Sequence, residues 1–210
     1  MASAIIHIAV CNEINKKLKR DNTKILLGSI APDISKLVGE NKVRTHFLTS
    51  EKSDIPGIDK FLGIYGDKLT DDFVLGYYIH LYTDYLWFKY FMPEIFDKEK
   101  NIIYKLDGTS IKCEPSLIVK YIYNDYTNLN SELVKRYDLD LKFLYDSPSI
   151  PNIIVEAHMD KLDVLRAANI KILENSKVNK DYTFNIDMID SFIKLSVELI
   201  LANLKEIKVI

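Results

Sequence analysis

FVLGYYIHLYTDYLWFKYF, residues 73 to 91, is apolar or aromatic on every side of a helix and is interrupted only by His80, Thr83, Asp84 and Lys89. A helix that is apolar all round belongs at the centre of a protein rather than on its surface. The Thr-Asp-Asp sequence just before it supplies capping and acidic first-turn side chains. The stretch therefore predicts a long, buried central helix.

Helical periodicity recurs on both sides of this stretch. It predicts further helices over Ile5–Leu18, Ile58–Tyr65, Leu117–Tyr137, Ile153–Leu173 and Ile186–Ile207. Residues 28–41 and 138–152 are typical of loops, and Asp107-Gly108 suits a small excursion or hairpin. Strand patterns are scarce, and no repeat or linker divides the chain. We expect an all-α fold, a bundle of about six to eight helices forming a single domain over residues 1–210.

Composition excludes several classes of protein. The 210 residues are 48% hydrophobic and 28% charged, as in an ordinary globular protein, and a net charge of -2 gives no general attraction to nucleic acid. The two cysteines, Cys11 and Cys113, form no C-x-x-C pair and are expected to be free thiols. No secretory leader and no transmembrane stretch is recognisable, so a cytoplasmic location is the expectation. The oligomeric state is left open.

His80 and Asp84 are the first candidates for a functional site. Their spacing of four stacks both side chains on one face of the central helix, where an imidazole nitrogen and a carboxylate oxygen can grip one metal ion. Burying an ionised Asp84 among apolar residues is costly unless a cation compensates it. The alternative is a hydrogen-bonded core histidine beside an aspartate that pairs with a lysine, an arginine or a tyrosine hydroxyl.

Four motifs in order strengthen the metal interpretation: His7 near the N-terminus, Ala-Pro-Asp-Ile at 31–34, Thr-His-Phe at 45–47, and Gly-Tyr-Tyr-Ile-His-Leu-Tyr-Thr-Asp at 76–84. Together they resemble the zinc-dependent phospholipase C family, which is related to the S1/P1 nucleases. That family is all-helical and hydrolyses phosphodiester bonds at a cluster of three zinc ions. Four motifs in the family's order are more specific than any one alone.

The resemblance implies a set of ligands. Asp33, His46, His80 and Asp84 match family ligands, and Asp84 together with His7 would serve an adjacent metal. Asp33 would also be the catalytic base for the attacking water. The family uses its free N-terminal amine as a ligand, and loss of Met1 would expose Ala2 for that role.

The second half of the chain departs from the family. Family members supply a further histidine and an H-x-x-x-[DE] pair there, whereas this chain has only His158, with Leu162 four positions later. Asp125, and Glu156 or Asp160 beside His158, are the available substitutes. Asp125 would otherwise be an ordinary polar helix residue, and a lone His158 would otherwise be solvated. One or two zinc ions are therefore expected rather than three, and another divalent metal would also suit oxygen and nitrogen ligands.

Most aromatic residues of the central helix are expected in the core. Trp87 shares the face of Asp84 and is the candidate for the wall of a substrate pocket. Cys11, one turn after His7, suits either a soft metal or, as a small apolar thiol, the core.

These features predict a metal-dependent hydrolase that uses metal-activated water on a small-molecule or lipid phosphoester. The alternative is a non-catalytic helical module in which Asp33, His46, His80 and Asp84 close a structural metal site. All-helical phosphohydrolases of the HD type are a further class, but they require adjacent His-Asp, which does not occur in this sequence.

Overall fold

A computed structural model describes residues 2–146, 150, 152–176 and 181–210. Its helices, in chain order, are α1 (Ala4–Leu18), α2 (Asn22–Gly28), α3 (Ile34–Leu37), α4 (Ile58–Tyr65), α5 (Asp72–Leu86), α6 (Met92–Ile95), α7 (Pro115–Arg136), α8 (Leu162–Glu174) and α9 (Ile186–Glu206). A π-helical turn, Trp87–Phe91, joins α5 to α6. The fold is thus mostly helical, as the sequence predicts.

A small antiparallel sheet interrupts the helices between α6 and α7. Its strands are β1 (Phe96–Asp97), β2 (Ile102–Tyr104) and β3 (Ser110–Lys112), in the order β1-β2-β3. Gly108, with φ +78°, lies in the turn between β2 and β3, a left-handed conformation that favours glycine. The hairpin expected near Asp107-Gly108 is therefore present, as one short sheet within a mostly helical fold.

Helix α5 is the buried centre of the molecule. Its N-cap is Asp71, whose carboxylate accepts hydrogen bonds from the backbone N–H groups of Phe73 and Val74. Helices α1, α2, α4 and α9 all contact it, and a single hydrophobic cluster draws on the whole set. Because apolar residues cover every side of α5, burying it on all sides is the arrangement that removes the most apolar surface from water.

Helices α2 and α5 approach closely through two glycines. A methyl group added at Gly28 would overlap the backbone carbonyl of Phe73, and one added at Gly76 would overlap the carbonyl of Ile25. The absence of a Cβ at both positions lets the two backbones touch. This contact places the end of α2 against the middle of α5, four residues before His80.

Some sequence boundaries were wrong. Residues 28–41, predicted as a loop, include α3 and a 3₁₀ turn at Ala31–Asp33, and α2 was not predicted. The helix predicted from Ile153 begins only at Leu162, because His158 adopts a left-handed backbone (φ 46°) between two 3₁₀ turns. In the predicted loop 138–152, Lys142–Leu144 forms a 3₁₀ turn, and Pro148 and Pro151 lie outside the described residues.

Among the helices of the described residues, none combines the length with the apolar character needed to cross a bilayer.

The glycine contact generates a stability prediction. Gly76→Ala should lower the free energy of unfolding by about 3 kcal/mol, because the methyl group overlaps backbone that cannot rotate away. Gly63→Ala is the matched control, since Gly63 is exposed on α4 with open space around its Cβ position. It should be neutral or stabilising by up to about 1 kcal/mol. Equal denaturant midpoints for the two variants would contradict the close approach of α2 and α5.

Candidate metal centre

Five side chains from four parts of the chain converge beside α5. His7 comes from α1, Asp33 from the 3₁₀ turn before α3, His46 from the loop between α3 and α4, and His80 and Asp84 from α5. Four of them are buried, with at most 1% of the residue exposed. Asp33 differs, since 15% of its side chain is accessible to solvent. The cluster is therefore internal, with one carboxylate at its edge.

Backbone hydrogen bonds hold the loop that carries His46. The hydroxyl of Tyr77, on α5, donates to the carbonyl oxygen of Thr45 at 2.6 Å. The carbonyl of His46 accepts from the backbone N–H of Gly57 at 3.1 Å. An irregular segment is thereby fixed against the central helix, so that His46 has one position relative to His80.

Hydrogen bonds at Nδ1 set the tautomers of His46 and His80. His80 Nδ1 lies 2.7 Å from the carbonyl oxygen of Ser29, an acceptor, so Nδ1 carries the proton. His46 Nδ1 lies 3.0 Å from Thr45 Oγ1, whose own proton is donated to Ser35 Oγ. Both Nε2 atoms are then bare acceptors, and they face each other at 3.3 Å. Two acceptors cannot form a hydrogen bond with each other, so a cation between the two nitrogens would be a suitable partner for both.

Two carboxylate oxygens complete this first set of ligand atoms. His46 Nε2 lies 3.7 Å from Asp33 Oδ1 and 3.5 Å from Asp84 Oδ2, and His80 Nε2 lies 3.8 and 3.9 Å from the same two oxygens. Ligand bonds of about 2.1 Å in a tetrahedron give edges of about 3.4 Å, close to these separations. Asp33 Oδ1 and Asp84 Oδ2 are both buried, and neither accepts a hydrogen bond from the residues that the structure describes.

A second set lies on the other side of Asp84. Its Oδ1 is 3.3 Å from His7 Nε2 without forming a hydrogen bond, and it accepts from the backbone nitrogen of Ala2 at 3.0 Å. The ring of His7 stacks on that of His80 with centroids 3.7 Å apart. His7, His80 and Asp84 also form a compact potential ligand group, as do Asp33, His46 and His80. Since Nε2 of His80 can bind only one ion, Asp84 is the residue able to serve both sets.

Burial and neighbouring charge shape the protonation of the cluster. Burial, together with the proximity of His7, lowers the pKa of His80 to about 3, so its ring is neutral near neutral pH. Burial acts to raise the pKa of Asp84, but His7 and His46 outweigh it and hold that pKa well below the usual range. Burial likewise acts to raise the pKa of Asp33, but Lys36 and the three histidines outweigh it, so that this pKa is also lowered. Two buried carboxylates are thus ionised beside a neutral imidazole, which favours a bound cation.

A cavity of about 480 Å³ opens beside the cluster. Asp33 and Ala2 line it, together with residues of α3, α7 and α8. Of the five clustered residues, Asp33 is the one that lines this cavity and the one whose side chain is partly exposed.

Asp125 has another role in the fold. It is buried, and its carboxylate accepts hydrogen bonds from the backbone N–H groups of Tyr182, Thr183 and Phe184, at 2.9, 2.7 and 3.3 Å, and from the Thr183 hydroxyl. These donors use both of its oxygens. Asp125 anchors the segment before α9 and is not brought into the cluster.

His158 and Cys11 are also engaged elsewhere. His158 Nε2 pairs with Glu40 at 3.0 Å near the surface, while Glu156 accepts a hydrogen bond from Tyr65. The buried thiol of Cys11 has its pKa raised to about 12 by burial, and it faces the carbonyl of Ile25 at 3.5 Å. A protonated thiol is a poor metal ligand, so Cys11 fits the core alternative.

Trp87 is completely buried in an aromatic cluster with Phe91, Phe184 and Phe192. It lines a second cavity, of about 720 Å³, rather than the one that reaches Asp33. Tyr126 lies between the two, lining both. The structure therefore does not bring Trp87 to the cavity beside the metal ligands.

Comparisons with models of protein families, with curated proteins and with solved structures found no match to this chain. The geometry of the cluster is therefore the guide to function.

Sequence reasoning missed the groups that orient the histidines and line the cavity. Thr45 and the carbonyl of Ser29 fix the tautomers, and Lys36 and Asn169 lie in the cavity wall. For Lys36 a signal existed, since it follows Asp33 by three residues. Asn169 gave none, because α8 is distant from the cluster in sequence.

The hydrogen bonds of Asp125 separate a structural from a ligating role. Asp125→Asn should lower the free energy of unfolding by about 2–3 kcal/mol, because an amide NH₂ would face backbone donors that now share a charged acceptor. Its zinc content after loading should equal that of the unmodified protein. Denaturant unfolding and elemental analysis measure the two quantities, and loss of zinc by a folded Asp125→Asn protein would contradict the assignment.

Proposed function

We propose that this protein is a metal-dependent hydrolase of phosphoesters, with zinc held by His46, His80, Asp33 and Asp84. One observation carries the proposal: two bare imidazole nitrogens lie close to two carboxylate oxygens that have no hydrogen-bond partner among the described residues, and one of these carboxylates, that of Asp33, belongs to a residue that lines a cavity. Such a set is expensive to bury without a cation. Donors of nitrogen and oxygen without a thiolate suit zinc, and also other divalent first-row metals.

The residues have separable roles in this proposal. A divalent cation held by these residues would need one further coordination position for water, and there it would acidify the water and neutralise charge on a phosphoryl oxygen. Asp33, at the edge of the cluster and facing the cavity, both holds the metal and accepts the proton of the attacking water. His46 and His80 are oriented by Thr45 and by the carbonyl of Ser29, which keep their Nε2 atoms free. Asp84 holds the first site through Oδ2.

A second ion belongs with Asp84 Oδ1 and His7 Nε2. The backbone nitrogen of Ala2 points at the same oxygen. Removal of Met1 would convert this amide into an α-amino group, which is a metal ligand once deprotonated. The resemblance of the ordered motifs to the zinc-dependent phospholipase C family agrees with this arrangement and supports the proposal. One or two ions remain the expectation.

The non-catalytic alternative is a closed structural site. What favours catalysis is the partial exposure of Asp33 and its place in the wall of the cavity, since structural zinc sites are enclosed by protein ligands. The two proposals share the same metal and differ in whether a substrate reaches it.

Asp84→Asn tests the metal site. The variant should bind no zinc and should lose the rise in melting temperature that zinc gives the unmodified protein, a stabilisation of about 4 kcal/mol at a thousandfold excess over Kd. Asp125→Asn is the control, because it changes an equally buried carboxylate outside the cluster. Full zinc binding by Asp84→Asn would contradict the proposed ligand set.

Asp33→Asn tests catalysis. Zinc-loaded protein should hydrolyse bis(p-nitrophenyl) phosphate or p-nitrophenyl phosphate, and the variant should be slower by about 100-fold or more, because it lacks the base. Zinc content is measured on the same samples, so that a loss of metal is told apart from a loss of the base. Zinc-loaded protein that hydrolyses neither compound would favour the structural alternative.

A further inference from the structure

The wall of the cavity beside Asp33 carries a lysine that the metal site does not use. Lys36 lies on α3, three residues after Asp33, and both residues line this cavity. It forms no close ion pair within the part of the chain that the structure describes. Burial acts to lower the pKa of Lys36, but Asp33 and Tyr123 outweigh this and raise it, so the side chain is cationic. A positive charge therefore stands beside the proposed water and metal ligands.

Asn169 of α8, which lines the same cavity, has a buried acceptor with no partner among the described residues. The residue is 3% exposed, and its Nδ2 donates to the carbonyl of Leu165 at 2.9 Å. An unpaired buried amide oxygen costs about 1–3 kcal/mol. A ligand in the cavity that carries a hydrogen-bond donor would satisfy this oxygen once the Asn169 amide turns towards it.

The remaining walls are largely apolar. They include Ile30, Leu37, Tyr126, Leu165 and Ile172. A ligand that fills the space therefore has an apolar middle, an anionic end near Lys36 and Asp33, and a donor that reaches Asn169. An amide oxygen distinguishes a donor from a methyl group of the same size, because only the donor pairs with it.

We propose that this cavity binds a phosphate ester whose organic part bears a hydroxyl group, with Lys36 holding a phosphoryl oxygen and Asn169 Oδ1 accepting the hydroxyl proton. The inference rests on the proposed function for the position of the phosphoryl group. It adds a substrate class and two specificity residues. Lys36 contributes a positive charge without ligating the metal. Asn169 recognises the hydroxyl group of the ligand through a hydrogen bond to its Oδ1.

The first test uses inorganic phosphate as the probe. Binding to zinc-loaded protein is measured by calorimetry for the unmodified protein, for Lys36→Gln and for Lys171→Gln, a control lysine that lines the same cavity from α8. Lys36→Gln should weaken phosphate binding by about tenfold, which corresponds to about 1.4 kcal/mol, and Lys171→Gln by less than about twofold. Equal weakening in the two variants, or none in either, would overturn the role of Lys36.

The second test uses ω-hydroxyalkyl phosphates of increasing length, each compared with an alkyl phosphate of the same number of heavy atoms. The unmodified protein should bind the hydroxyl compound about tenfold more tightly at the length that spans the cavity. Asn169→Leu, which has the same branched arrangement of heavy atoms and removes the unpaired oxygen, should fold and lose this preference. A preference that survives in Asn169→Leu, or is absent at every length, would overturn the inference.

The zinc content of every sample is measured, so that failure of the proposed metal-dependent function is distinguished from failure of the specificity inference. If the unmodified protein holds no zinc, the proposed function fails, whatever the lysine and asparagine variants do. If zinc is held equally in all variants and the phosphate and alcohol preferences do not change, the specificity inference alone fails.

Discussion

The buried carboxylate of Asp84 is the constraint around which this molecule is arranged. It lies on the buried central helix α5, fully enclosed, and one of its oxygens has no hydrogen-bond partner among the described residues. Burial favours the neutral form of Asp84 and acts to raise its pKa. The adjacent histidines outweigh burial and hold that pKa well below the usual range. A cation coordinated by Asp84 and those histidines would remove the conflict. In this account the apolar surroundings keep competing water away and strengthen the attraction for the metal.

Reaching this arrangement requires precise backbone contacts. Gly28 and Gly76 bring α2 against α5, and the end of α2 then offers the carbonyl of Ser29 to His80 Nδ1. A second contact, from Tyr77 to the carbonyl of Thr45, fixes the loop that carries His46. The orientation of the imidazoles thus depends on main-chain carbonyls and on small residues. The geometry of the ligand atoms therefore depends directly on how the helices pack.

Helical periodicity, a local signal, predicted the central helix. The resemblance of the ordered motifs implied the set His7, Asp33, His46, His80 and Asp84, which the structure brings together. Prediction from the sequence failed where the answer depended on distant contacts. Asp125 has the same residue type and burial as Asp84, but it accepts hydrogen bonds from residues 182–184, far away in the sequence. His158 was placed on a helix, yet its left-handed backbone turns it towards Glu40. The position of Trp87 in a second cavity could not follow from its spacing to Asp84 alone.

The most direct test is anomalous X-ray diffraction at the zinc edge from crystals of the zinc-loaded protein. The account predicts a peak between His46 Nε2, His80 Nε2 and the carboxylates of Asp33 and Asp84, with ligand distances of about 2.0–2.2 Å. A second, weaker peak between His7 and Asp84 Oδ1 would mark the adjacent ion. A zinc-replete crystal with no anomalous density among these side chains would contradict the central claim.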